Sequence, residues 1–162
     1  MKVVILAGGL GTRISEYTKN IPKPMIEINK KPIIRHIMDH YIKYGFKEFY
    51  IAAGYKGNII KTYFRKNKNY NVKIIDTGKN TMTGGRLKRL KKYLKNETFL
   101  MTYGDGVSNI NINKLIRYHR KKNKLVTLTA VRPPARFGEI YFSKKDRVKS
   151  INMHLQKMVV AS

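Results

Sequence analysis

Four apolar runs, "KVVILA" (2–7), "EFYIAAG" (48–54), "NVKIIDTG" (71–78) and "TFLMTYGD" (98–105), alternate with segments whose apolar residues recur at helical spacing. This alternation constrains the fold more than any other feature. Continuous β-branched runs mark strands buried on both faces, and strands separated by helices make a mostly parallel sheet with helices on both sides. The expectation is therefore an α/β, Rossmann-like domain that binds ligands beyond the carboxyl ends of its strands. The helical segments read plainly. In "KKPIIRHIMDHYIKYGF", Pro32 suits the first turn and Gly45 the stop, while Ile33, Ile34, Ile37, Met38, Tyr41 and Ile42 form one stripe. "GNIIKTYFRK" (57–66) predicts a short helix, and Thr83 is placed to cap another through Leu87, Leu90 and Leu94. A helix around Ile112, Leu115, Ile116 and Tyr118 precedes "LVTLTAV" (125–131). "GEIYFSKKDRVKSINM" reads as a hairpin turning at Lys144 to Asp146.

The 162 residues suit one domain, or part of a larger one, and can bury a core. The absence of cysteine rules out disulfides and thiolate metal sites. No run approaches the roughly 20 apolar residues that span a bilayer. The N-terminal apolar run is also too short for a signal peptide, so a cytoplasmic protein with no membrane partner is expected. Charge is the unusual quantity: 35 Lys+Arg against 9 Asp+Glu give a formal net +26. Such a surface attracts polyanions by counterion release. The lysines are nevertheless scattered along the chain. The two dense stretches, "RLKRLKKYLK" (86–95) and "RYHRKKNK" (117–124), keep apolar residues at helical spacing, the pattern of solvated helix faces rather than of a nucleic-acid partner.

Chemistry concentrates in "LAGGLGTRISEYTKNIPKPM" (6–25), directly after the first strand. Gly8, Gly9 and Gly11 let backbone N–H groups approach an anion, Arg13 offers a planar donor fork, and Lys23 offers a point charge held between Pro22 and Pro24. Two named phosphate motifs fail here. There is no G-x-x-x-x-G-K-[ST], and Ile14 stands where G-x-G-x-x-G counted from Gly9 needs its last glycine. His36 and His40 sit four apart on a helix, but no acidic residue completes an H-E-x-x-H arrangement, so both read as helix-flank residues.

"LAGGLGTR" followed by "PKPM" closely resembles the signature of the sugar-nucleotidyltransferases, which join a nucleoside triphosphate to a sugar 1-phosphate and release pyrophosphate. "DTGKNTMTGGRLKR" (76–89), "TYGDGVSNININ" (102–113) and "TLTAVRPPARFGEI" (127–140) extend the similarity toward the glucose-1-phosphate cytidylyltransferase branch, over residues 1 to about 151. The resemblance implies CTP and glucose 1-phosphate as substrates, CDP-glucose for surface polysaccharide as product, and Mg²⁺ as cofactor. It implies that Leu6, Ala7, Gly8, Gly9, Leu10, Gly11, Thr12 and Arg13 line the nucleotide, with Arg13 and Lys23 meeting phosphate charge at the reacting centre. Thr81, Gly85 and Arg86 would contact CTP in a base-recognition loop, Gly104 would border the nucleotide, and Asp105 would ligate the metal. A carboxylate between glycines at the end of a buried strand is costly unless a cation or several donors meet it, which agrees with the last role. Nucleotidyl transfer asks for alignment and charge neutralisation rather than a nucleophilic side chain.

Two departures from the family stand out. After "RVKS" (147–150) the chain reads "INMHLQKMVVAS", where the family continues into a lysine motif, a sugar-binding strand and a second acidic metal ligand. The expectation is a single nucleotidyltransferase domain over 1–162 whose C-terminal sugar-binding part is missing after about residue 151. The connection "FRKNKNYNVKII" (64–75) is also shorter than in the cytidylyltransferases, which bears on base specificity and on any homo-oligomer contacts. Two rival readings follow: a nucleotide-binding remnant without turnover, favoured by the missing acidic ligand, and a basic nucleic-acid-binding module, favoured by charge alone.

Overall fold

The computed structural model describes residues 1–11, 18–94, 97–131, 139–142 and 148–152. In chain order its elements are β1 (Val3–Ala7), a 3₁₀ turn (Lys23–Met25), β2 (Glu27–Ile28), β3 (Lys31–Pro32), α1 (Ile33–Lys43), β4 (Glu48–Ala53) and α2 (Gly57–Lys66). Then follow β5 (Asn71–Asp76), α3 (Thr83–Leu94), β6 (Leu100–Tyr103), α4 (Ile112–Lys122), β7 (Glu139–Phe142) and β8 (Val148–Asn152). The alternation read from sequence is realised as a four-stranded parallel sheet in the order β5-β4-β1-β6.

β1 is buried along its whole length because helices cover both faces of the sheet. Its odd residues Val3, Ile5 and Ala7 pack with Ile34, Ile37, Met38 and Tyr41 of α1, Ile60 and Phe64 of α2, and Ile112 of α4. Its even residues Val4 and Leu6 pack with Tyr50, Ala52, and Leu90 and Leu94 of α3. Period-two alternation thus feeds two cores, and each buried aliphatic side chain contributes about 1.5–3 kcal/mol.

Helix ends follow local chemistry. Pro32 sits immediately before the first residue of α1, and Gly45 follows its last turn at φ +87°, a conformation that suits glycine. The Asn111 side chain accepts from the Lys114 N–H at 3.0 Å and caps α4. The end expected at Thr83 is shifted by one residue. Thr83 is already helical, and the Met82 carbonyl accepts from Arg86 N at 3.0 Å, so Met82 holds the cap position. β7 and β8 form the expected antiparallel hairpin, and its turn lies outside the described residues.

The run 125–131 forms no strand. It alternates as a half-buried strand would, but among the described residues nothing pairs with it, and Leu125, Val126 and Leu128 stand exposed. The two helix histidines behave as flank residues: His36 Nε2 meets the Ile28 carbonyl at 3.0 Å and His40 Nε2 the Ile110 carbonyl at 2.9 Å. No described helix is long and apolar enough to cross a membrane.

Candidate functional site

Parallel pairing aligns the carboxyl ends of the strands, with Ala7 beside Ala53, Ala53 beside Asp76, and Leu6 beside Tyr103. The loops leaving those ends enclose a cavity of about 300 Å³, at the small end of the range for ligand sites. The loop after β1 supplies Gly8, Gly9 and Gly11. The 3₁₀ turn supplies Lys23 and Pro24, the start of α3 supplies Thr81, Met82 and Thr83, and the end of β6 supplies Tyr103 and Asp105.

Sequence reasoning and structure meet at this place. Leu6, Ala7, Gly8, Gly9, Gly11, Lys23, Thr81, Arg86 and Asp105 all line the cavity. Leu10 is exposed and does not line it. Gly85 packs instead beneath Thr81, whose Cγ2 would lie 2.8 Å from an added Cβ. Gly104 lets the end of β6 approach its neighbours, since a Cβ there would meet Pro24 Cγ at 2.9 Å and the Leu6 carbonyl oxygen at 3.1 Å. Thr12 and Arg13 lie outside the described residues. Pro24, Met82, Thr83 and Tyr103 also line it, and sequence reasoning offers none of them as a site residue. Met82 had a signal, as an apolar residue inside the polar "NTMTGG" loop, and it is 82% exposed at the cavity.

The three glycines of the loop have three different causes. Gly11 adopts φ +69°, which a side chain disfavours. Gly9 has open space where its Cβ would be. At Gly8 a Cβ would lie 2.0 Å from Arg86 Nη1, so this glycine makes room for a guanidinium rather than for an anion.

Two charged features dominate the electrostatics. Lys23 Nζ donates to Asp105 Oδ2 at 2.6 Å, and both side chains are about one-third exposed. Asp105 is the sole carboxylate among the described residues lining the cavity. Arg86, by contrast, is buried, and its guanidinium reaches backbone oxygens at the ends of three strands. Burial, reinforced by Arg89 nearby, lowers the Arg86 pKa from its usual value.

The donor set defines what cation the cavity could hold. No cluster of three or more His, Cys, Asp or Glu occurs among the described residues. A hard divalent cation such as Mg²⁺ is commonly held by one or two carboxylates together with substrate phosphates. Asp105 fits that arrangement. Phosphates would find Lys23 and the N–H groups of the glycine loop in the lining of the same cavity.

The sequence and the fold are similar to those of known proteins. The family described as Nucleotidyl transferase matches residues 2–152. Glucose-1-phosphate cytidylyltransferase of Salmonella typhimurium is 47% identical over 164 residues, covering 86% of this chain and 64% of that protein. D-glycero-alpha-D-manno-heptose 1-phosphate guanylyltransferase of Campylobacter jejuni is 35% identical, covering 99% of this chain and 67% of that protein. Among solved structures, HddC from Yersinia pseudotuberculosis complexed with GMP-PN superimposes with a TM-score of 0.68 at 28% identity, covering 99% of this chain and 72% of that one. The chain therefore spans less than two-thirds of the length of the cytidylyltransferases it matches.

Proposed function

From the premise that this chain belongs to the nucleotidyl transferase family, we propose that it binds CTP at the carboxyl end of its sheet and serves in joining CTP to glucose 1-phosphate, giving CDP-glucose and pyrophosphate. The carrying observation is the hydrogen-bonded pair Lys23 and Asp105 in the lining of a cavity that the glycine loop also lines. Lys23 meets phosphate charge, the loop N–H groups meet phosphate oxygens, and Asp105 supplies the carboxylate for a divalent cation. Mg²⁺, when bound, would offset negative charge on the polyphosphate. The sugar phosphate oxygen attacks the α-phosphorus in line and pyrophosphate leaves, so the residues need only hold the two substrates aligned. Thr81 and Met82 in the cavity lining are the contacts proposed for the base. The 47% identity to a cytidylyltransferase supports CTP over other nucleotides. Cytoplasmic synthesis of sugars for surface polysaccharide is the proposed setting.

A second reading, nucleotide binding without turnover, rests on Asp105 being the sole carboxylate of the described cavity. Pyrophosphate release from CTP, glucose 1-phosphate and Mg²⁺ separates the two. Release supports the transferase, and CTP binding without release supports the second reading. CTP should raise Tm more than equal concentrations of UTP, ATP or GTP, because only differential affinity gives differential stabilisation. Equal shifts would indicate a site that reads phosphate alone.

A further inference from the structure

Arg86 lies on the first turn of α3, is 5% exposed, and spends its guanidinium on the protein itself. Nη1 donates to the Ala53 carbonyl at 3.2 Å, to Thr77 Oγ1 at 2.6 Å and to the Gly78 carbonyl at 2.9 Å. Nη2 donates to the Gly8 carbonyl at 2.8 Å and to the Lys79 carbonyl at 3.3 Å. The two terminal nitrogens carry four N–H groups between them, and these five acceptors take them all. A base could receive a bond from either nitrogen only after one of these was lost.

The acceptors are not a random set. Gly8 follows β1, Ala53 ends β4, and Thr77, Gly78 and Lys79 follow β5, so one side chain ties together the exits of three adjacent strands. Two glycines make room for it. A Cβ at Gly8 would come within 2.0 Å of Nη1, and one at Gly54 within 2.5 Å of Nη1 and 2.9 Å of the Gly8 carbonyl oxygen. The Gly8 carbonyl also accepts from Tyr55 N at 3.3 Å. In a trans peptide the C=O and the following N–H point in opposite directions. Fixing the Gly8 oxygen toward Arg86 therefore aims the N–H of exposed Gly9 away from the buried guanidinium.

Resting on the reading of this cavity as a nucleotide site, we propose that Arg86 is a positioning residue. It sets the glycine loop for phosphate through backbone carbonyls and does not read the base. Lysine cannot replace it, since one ammonium on a flexible stem cannot span acceptors on three loops.

The test uses the whole chain with two substitutions, Arg86→Lys and Gly54→Ala. Gly54 does not line the cavity and has no left-handed φ, so alanine there acts only by crowding the guanidinium and its carbonyls. Calorimetric titrations with tripolyphosphate and with CTP give the readout, alongside the amide shift of Gly9. Both variants should weaken both ligands by the same factor, roughly tenfold, the scale of one lost bond to a charged group, and both should move the Gly9 amide. Loss of CTP affinity with tripolyphosphate affinity retained in Arg86→Lys would overturn the proposal in favour of base recognition. Unchanged tripolyphosphate affinity in Gly54→Ala would overturn it also, and this variant decides alone if Arg86→Lys does not fold. A wild-type chain that binds neither ligand would instead overturn the nucleotide reading on which the proposal rests.

Discussion

Lys23 Nζ and Asp105 Oδ2 lie 2.6 Å apart, joining the turn after Pro22 to the loop after β6 across 82 residues of sequence. The pair neutralises the ammonium and the sole carboxylate of the described cavity wall in one contact. In the proposed function a cation at Asp105 and a phosphate at Lys23 would each compete with that contact for charge. Whichever ligand weakens it would spare the other part of the cost, so positive coupling between the two is the expected outcome.

Lys23→Ala therefore should tighten Mn²⁺ binding in the absence of nucleotide while weakening CTP. Partly exposed pairs contribute about 1 kcal/mol or less, so the gain in Mn²⁺ affinity should be roughly three- to fivefold. Loss of a charge-assisted phosphate contact should cost CTP about 1.5–3 kcal/mol. Mn²⁺ titration by electron paramagnetic resonance and CTP titration by calorimetry check the two signs. Weaker Mn²⁺ binding in Lys23→Ala would contradict the coupling.

Much of this arrangement was legible in the chain because burial leaves a mark on residue type. "KVVILA" could only be a strand covered on both faces, and the apolar stripe with Gly45 delimited α1 to within a residue or two. α2 starts and stops where its pattern predicts. The glycine loop and Lys23 were found by residue type and Asp105 through the family resemblance, and they do meet in one cavity. The part played by Arg86 was not legible, because its acceptors are mostly carbonyls, which every residue carries, up to 78 positions away. Its one trace is the pair Gly8 and Gly54, and a glycine required by a guanidinium reads in sequence like a glycine required by phosphate. "LVTLTAV" has strand pattern but no described partner, and a strand is defined by its pairing.

A second polar cluster surrounds the carboxyl group of Asp39. Tyr70 Oη donates to Asp39 Oδ1 at 2.8 Å, Lys31 pairs with Asp39 Oδ2, and Arg35 donates to Tyr70 and Tyr63. Burial pushes the Asp39 pKa up, but the bonds from Lys31 and Tyr70 and the charges of Lys31 and Arg35 outweigh it and hold the carboxyl below its usual value. A depressed carboxylate stabilises the fold above its unfolded pKa, and that contribution disappears as pH falls through the lower folded value. Asp39→Asn should cost about 0.5–1.5 kcal/mol at pH 7, and the gap to wild type should narrow progressively as the pH falls below about 4. Urea unfolding at pH 7 and pH 3 measures both. A constant gap would show that the carboxylate charge contributes nothing.

Leu125, Val126 and Leu128 present an apolar stretch to solvent on a chain of net charge +26. Charge repulsion keeps copies apart at low ionic strength and is screened by salt, while apolar contact is not. Self-association should therefore rise between 50 and 500 mM NaCl, where the Debye length falls from roughly 14 to 4 Å. Leu125→Ser combined with Leu128→Ser should suppress it. Light scattering coupled to size exclusion provides the measurement, and a mass independent of salt would remove this surface as an association site.

Gly104 separates the geometry of the Lys23 and Asp105 pair from its chemistry. A Cβ at this position would sit 2.9 Å from Pro24 Cγ, 3.1 Å from the Leu6 carbonyl oxygen and 3.3 Å from Ala7 Cβ. Two of these neighbours belong to β1, which is buried along its length and cannot yield without disturbing both cores. The remaining freedom is to push the end of β6 outward, and Asp105 with it. Overpacking of this kind costs about 1–3 kcal/mol. Gly104→Ala should accordingly lower Tm and also weaken Mn²⁺ binding, although Lys23 and Asp105 are both retained. Gly84→Ala is the control, since a Cβ at Gly84 meets nothing within 4 Å and the change should leave Mn²⁺ affinity as it was. Full Mn²⁺ affinity in Gly104→Ala would mean that Asp105 reaches its cation from a loop that tolerates displacement, and that close packing against Pro24 is not what aims it.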